Sequence, residues 1–213
     1  MDLNQAIRQR TESITDDLIR IRRAIHENPE LGFEEFETAA LVSKSLADLG
    51  IPHQTGVAKT GVVGLLEGGS DGKTLAIRAD MDALPIEEPE GLDFASKVPG
   101  KMHACGHDAH TTILLGVAMV LSELKESIQG RVKFIFQPCE EGLGGAELMI
   151  EEGVLENPAI DLCLGFHNWP PVDAGKIGYH PDVAFSSANA FDITLTGVAS
   201  HAAHPQSAVD VIT

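Results

Sequence analysis

"RVKFIFQP" at residues 131–138 is a short, nearly continuous apolar run closed by a proline. A run of this kind, bounded by turn residues, reads as a strand buried on both faces, as inside a sheet covered by helices on either side. Working outward, "GVVGLLEGG" (61–69) and "KTLAIRAD" (73–80) have the same texture and are separated by Gly-Gly-Ser-Asp-Gly, which predicts a strand pair joined by a turn. "IDLCLGFHN" (160–168) predicts a further strand. Helical spacing fills the intervals. Leu3, Ile7, Ile14, Leu18, Ile21 and Ile25 predict one helix stopped by "ENPE" (27–30), and residues 34–49 predict a second, ended by Gly50 and Pro52. Two more are expected over 108–127 and 144–153. Alternating strands and helices predict an α/β domain whose mixed, largely parallel sheet is covered by helices.

Near Gly175 the texture changes. Phe191, Ile193 and Leu195 alternate with Asp192, Thr194 and Thr196, which predicts a strand with one exposed face, and "QSAVDVIT" (206–213) has the look of the first turns of a helix. The expected organisation is a domain over 1–183 and the beginning of a small α+β domain over 184–213.

Composition narrows the function classes. Fifteen basic against 32 acidic residues give a formal charge of -17, which disfavours phosphate backbones and anionic lipid surfaces as partners. The N-terminus lacks the apolar stretch of a signal peptide and the longest apolar run, 113–121, is too short to span a bilayer, so a cytoplasmic location is expected. Three cysteines, Cys105, Cys139 and Cys163, have no disulfide-framework spacing.

In open α/β sheets ligands bind beyond the carboxyl ends of the strands. "RADMD" (78–82), "CEE" (139–141) and "FHNW" (166–169) follow predicted strands, and "CGHD" (105–108) opens the long helix within "MHACGHDAH" (102–110). If those strands are neighbours, Cys105, His107, Glu141 and His167 converge on one crevice. Thiolate, imidazole and carboxylate together suit zinc, manganese, cobalt or nickel better than calcium or magnesium. Adjacent residues of extended chain point to opposite sides, so within Glu140-Glu141 one carboxylate can hold metal while the other accepts a proton from water. Each element alone has a plainer reading. Paired glutamates are usually solvated, His167 on an apolar strand suits a core histidine, Asp80 and Asp82 suit turns, and His103 and His110 suit packing or support of other donors. Cys105 with His107 also fits a nucleophilic cysteine and its base, whereas the zinc-deaminase pattern is absent.

"RADMDALPIEE" (78–88), "MHACGHDAHTTILLG" (102–116), "FQPCEEGLGGAELMIEEG" (136–153), "GFHNWP" (165–170) and "SHAAHPQSAVD" (200–210), with "HENPELGFEE" at 26–35, resemble the amidohydrolase family of hippurate hydrolase, N-acyl-amino-acid amidohydrolases and auxin-conjugate hydrolases. That family is a branch of the zinc-dependent aminoacylase and carboxypeptidase-like exopeptidases. The resemblance implies hydrolysis of N-acyl amino acids at a centre of two divalent ions, Mn2+ or Zn2+ with Ni2+ or Co2+ as alternatives. Cys105 would bridge the ions, His107, Glu141 and His167 would be further ligands, Glu140 the general base and Asp80 an outer carboxylate. Arg78 stands where related families often carry a histidine. The resemblance also implies a homodimer built through an inserted lid and dimerisation domain, in which His201 reaches the substrate of a partner subunit. Family members are nearly twice as long, so the chain is expected to be a C-terminally truncated product that lacks a further histidine ligand. Gln206 replaces a more usual histidine after Pro205, and Ser200 is the small residue before His201. The rival readings are an inactive metal-binding or dimerisation fragment and a cysteine-nucleophile hydrolase.

Overall fold

The computed structural model describes residues 2–142, 144–183 and 191–212. Its strands are β1 (His53–Val57), β2 (Gly61–Glu67), β3 (Ser70–Asp80), β4 (Gln129–Gln137) and β5 (Leu162–Gly165). They form one sheet in the order β1-β2-β4-β3-β5, so the apolar run at 131–138 is central. β4 pairs antiparallel with β2 (Leu66 opposite Val132) and parallel with β3 (Leu75 opposite Val132). β1 is antiparallel to β2 and β5 parallel to β3, which makes the sheet mixed.

The expected hairpin between 61–69 and 73–80 is not formed, because β4 lies between the two strands. The intervening glycines serve a close approach of backbones instead of a tight turn. Gly68 N–H donates to Gly130 O and Gly69 N–H to Ile128 O, both at 2.9 Å, and a Cβ on either glycine would overlap backbone oxygens of residues 126–130. The link thus crosses the start of β4 and lets β2 and β3 each bury both faces beside it.

Helices α1 (Leu3–Ser13), α2 (Thr15–His26), α3 (Phe36–Asp48), α4 (His107–Glu123) and α5 (Gly145–Glu151) cover the sheet. The single N-terminal helix expected from spacing is two, broken at Ile14, whose side chain is buried. On one face, Val42 and Leu46 of α3 and Leu114, Leu115 and Ala118 of α4 pack on Val62, Leu66, Val132, Phe134 and Phe136. Each such large side chain contributes roughly 1.5–3 kcal/mol by leaving water. On the other face Met149 of α5 and Val154 meet Val57, Ala76 and Ile135. There the buried Lys133 ammonium donates to the carbonyls of Val154 (2.9 Å), Glu156 (2.7 Å) and Pro158 (3.0 Å), which satisfies a segment following α5.

The chain divides into two units, Met1–Trp169 and Pro170–Thr213. In the second, residues 191–196 form no strand. Phe191, Ile193 and Leu195 are exposed, since an alternating sequence makes a strand only where a neighbour supplies the ladder, and none does among the described residues. Where a helix was expected from 206, a short 3₁₀ turn, Pro205–Ser207, is followed by a bridge between Val198 and Val209. The expected boundary at 183/184 abuts residues 184–190, which lie outside the described residues.

Candidate metal centre

The carboxyl end of β3 delivers Asp80 and, just beyond it, Asp82 beside the first turn of α4. That turn begins abruptly. Gly106 has φ +85°, and a Cβ there would overlap the Asn168 side chain, so only glycine lets the helix start against the segment that carries His167. His107, His110, Thr111 and Leu114 share one helical face, so the face that packs the core also aims two imidazoles at the strand ends.

Three donor groups, each with ligand atoms within 4.8 Å of one another, form there: Cys105 with His107 and His167; His107 with Glu140 and Glu141; and Asp80 with His107 and His110. His107 belongs to all three. Its Nδ1 lies 3.2 Å from Asp82 Oδ1, and because a carboxylate can only accept, Nδ1 carries a proton, so that in the neutral ring Nε2 is the nitrogen presenting a lone pair. That Nε2 is buried and has no hydrogen-bond partner, 3.6 Å from Asp80 Oδ2 and 3.7 Å from Glu141 Oε1. His167 is prepared in the same way. Its Nδ1 donates to Asn168 O at 2.7 Å, and Nε2 faces Cys105 Sγ at 3.5 Å. An imidazole whose far nitrogen is tied to a carboxylate or carbonyl is the usual form of a metal-ligating histidine.

The group containing His110 differs. His110 Nδ1 donates to Asp80 Oδ1 at 2.6 Å and its Nε2 accepts the Asn168 N–H at 3.0 Å, so both ring nitrogens are engaged. Arg78 Nη1 lies 2.7 Å from Asp80 Oδ2. Asp80 and His110 are therefore tied into the surrounding chain, with Thr111 Oγ1 donating to Asp80 O at 2.9 Å. Burial opposes ionisation of Asp80, but the His110 hydrogen bond and the Arg78 charge outweigh it and hold the carboxyl at about 2. Burial likewise opposes the charged form of His107, and Asp82, Asp80 and Glu141 overcome it and raise its pKa. Burial, then Glu141, Glu140 and Asp80, push the Cys105 thiol up to about 12. A nucleophilic cysteine needs the opposite environment, whereas a divalent cation reverses that balance.

Cys105, His107, Glu140, Glu141, Asp80 and His167 thus gather at one place in the first unit. His201 lies in the second unit, exposed, with Nδ1 accepting the Ala203 N–H at 3.1 Å. Sequence reasoning gave Asp82 only a turn role, yet it binds His107 through Oδ1 and the Glu141 N–H through Oδ2 at 3.0 Å. The signal was present in the two-residue spacing of Asp80 and Asp82, which in extended chain puts both on one side.

Comparison with known proteins identifies the family. Residues 76–211 match the peptidase family M20/M25/M40. An IAA-amino acid hydrolase of Arabidopsis thaliana is 46% identical over 94% of this chain and 46% of its own length. An N-acetyl-L-cysteine deacetylase of Bacillus subtilis is 44% identical over 94% and 48%. Among solved structures, the YXEP protein of Bacillus subtilis, described as a dinuclear metal binding peptidase, superposes with a TM-score of 0.71 at 45% identity, over 75% of this chain and 45% of that one. The chain spans about half the length of the curated relatives it matches.

Proposed function

Given that the chain belongs to the peptidase family M20/M25/M40, we propose that it is the part of a divalent-metal-dependent amidohydrolase that holds the metal and the general base, acting on N-acyl amino acids. The relatives named for IAA-amino acid and N-acetyl-L-cysteine substrates support that substrate class. The observation that carries the reading is the buried His107 Nε2, left without a hydrogen bond among Asp80, Glu141 and Cys105.

Cys105, His107, Glu141 and His167 hold the metal in this reading, and Asp80 and Asp82 hold the ligands. Divalent ions so bound supply Lewis acidity toward an acyl carbonyl and toward water. Glu140 faces solvent next to Glu141, where water reaches it. Its carboxylate takes a proton from the attacking water and hands it to the departing amide nitrogen, so the amine leaves neutral. The same reading takes two Mn2+ or Zn2+ ions, with Ni2+ or Co2+ as substitutes, in a cytoplasmic homodimer. Residues 1–183 are then the first part of the catalytic domain, 184–213 begin a lid and dimerisation domain, and His201 of the partner subunit stabilises the oxyanion.

Glu140→Gln in the whole protein tests it. Metal content, measured by elemental analysis, is expected to stay at the wild-type level while turnover of N-acetyl and N-benzoyl amino acids falls about 10²–10⁴-fold. Unchanged turnover would remove the base role from Glu140. An absence of amide hydrolysis in the metal-loaded wild type would favour a binding fragment.

A further inference from the structure

Glu35 is fully buried, yet it belongs to none of the donor groups. It lies just before α3 and reaches the far end of β4: Oε1 accepts the Cys139 N–H at 2.8 Å and Oε2 accepts the Thr60 hydroxyl at 2.5 Å. Cys139 is where the chain leaves the sheet and turns into Glu140-Glu141. It holds φ at +49°, a left-handed conformation that is unfavourable for a residue with a Cβ. Cys139 is held from other sides as well, since its carbonyl accepts the Gly145 N–H at 3.1 Å and Gly32 approaches so closely that a Cβ there would overlap Cys139 Sγ. Two residues on, the Glu141 N–H is fixed by Asp82. The turn bearing both glutamates is thus pinned at each end by a buried carboxylate.

We propose that Glu35 is a positioning residue for Glu140 and Glu141, acting through the backbone of Cys139, an inference that rests on the hydrolase reading above. Packing alone does not account for an acid here, because an apolar side chain would fill the space without the cost of burying a carboxyl. An apolar side chain would, however, take away the acceptor that holds the Cys139 N–H. The turn would then relax from its left-handed geometry, and rotation at residue 139 re-aims both carboxylates that follow. Displacements near 1 Å at reacting groups lower rates by as much as about 10²-fold.

The test compares Glu35→Gln and Glu35→Ala in the whole protein loaded with cobalt(II), whose visible absorption reports ligand geometry. Glutamine keeps the acceptor for Cys139 N–H and turns its amide toward the Thr60 oxygen, so its spectrum and kcat are expected to match wild type within about threefold. Alanine is expected to shift the cobalt bands and lower kcat roughly 10–100-fold with KM little changed. If Glu35→Ala does not fold, Gly32→Ala displaces Cys139 with Glu35 intact. Its cobalt bands are expected to shift and to return in Gly32→Ala/Cys139→Gly, where the clash is removed and glycine suits the positive φ. A wild type that binds cobalt and hydrolyses amides, with a folded Glu35→Ala or Gly32→Ala protein matching it in both, overturns the Glu35 assignment alone. A wild type without cobalt absorption or amide turnover overturns the hydrolase reading and this inference with it.

Discussion

Asp82 engages two segments at once, His107 on α4 with one oxygen and the backbone of Glu141 with the other. It therefore sets both which nitrogen of His107 is free and where the glutamate turn sits. Asp82→Ala is expected to weaken metal binding by about 10–100-fold, the usual effect of removing the carboxylate behind a ligating histidine. Competition with a chromophoric chelator measures it, and unchanged affinity would mean that packing alone orients the imidazole. Glu35 makes a separate, pH-dependent prediction. Burial pushes its carboxyl above the ordinary 4.5, despite the hydrogen bonds from Thr60 and Cys139. The folded state thus holds that proton more tightly than the unfolded one, so stability present below 4.5 is lost as pH rises toward the raised value. Glu35→Gln lacks this loss, and its thermal midpoint relative to wild type is expected to climb between acid and neutral pH. A difference independent of pH would contradict the raised carboxyl. At this scale the ligand candidates were legible, because Cys105, His107, Glu141 and His167 are of metal-capable types at predicted strand and helix ends. His110 was legible only as packing or support, and Asp82 and Glu35 were not legible as supports, since what distinguishes them is the second group each one touches, and that partner is remote in sequence.

Elements were legible wherever hydrophobic period and capping agreed. α3 ends just before Gly50, at φ +67°, and its buried Thr38, Val42 and Leu46 recur every fourth residue as the spacing predicts. Pairing was less legible. The glycines of 68–72 carry the same residues as a hairpin turn, and nothing local reveals that β4, about sixty residues later, enters between β2 and β3. Their function as spacers is testable. A Cβ on Gly69 would meet the Glu126 backbone, which cannot yield as a flexible side chain can, so Gly69→Ala is expected to destabilise by about 1–3 kcal/mol, the cost of overpacking. Gly91→Ala is a poor control because its φ is +116°, whereas Ser70→Ala at the exposed start of β3 is a fair one. Urea unfolding of the pair decides the matter, and equal midpoints would return the glycines to an ordinary turn. A period can also mislead in the other direction: residues 191–196 alternate cleanly but have no ladder partner among the described residues, and alternation without a neighbour does not make a strand.

Across the whole molecule, burial and chemistry are distributed unequally. None of the described residues from 170 onward is buried, while the core from Ile14 to Val154 and every donor of the candidate centre lie in Met1–Trp169. Cation binding and turnover are therefore expected to separate. A polypeptide ending at Trp169 should unfold cooperatively and bind Zn2+ or Co2+ through Cys105, His107, Glu141 and His167. Binding confined to the native state stabilises it by about 2.7 kcal/mol at a hundredfold excess over Kd, enough for a clear rise in thermal midpoint. The rise should vanish in Cys105→Ala or His107→Ala. Leu162 and Leu164 on the edge strand β5 are exposed, and edge strands of that kind self-associate, so the measurement belongs at low protein concentration. Amide hydrolysis by the same polypeptide should fall by about 10²–10³-fold or more relative to the whole protein, the usual loss when a single oxyanion donor, the role proposed for His201, is removed. A midpoint indifferent to Zn2+ and Co2+ would show that donors outside the first unit are needed before the centre can hold metal at all, and retained hydrolysis would show that His201 contributes nothing to the reaction.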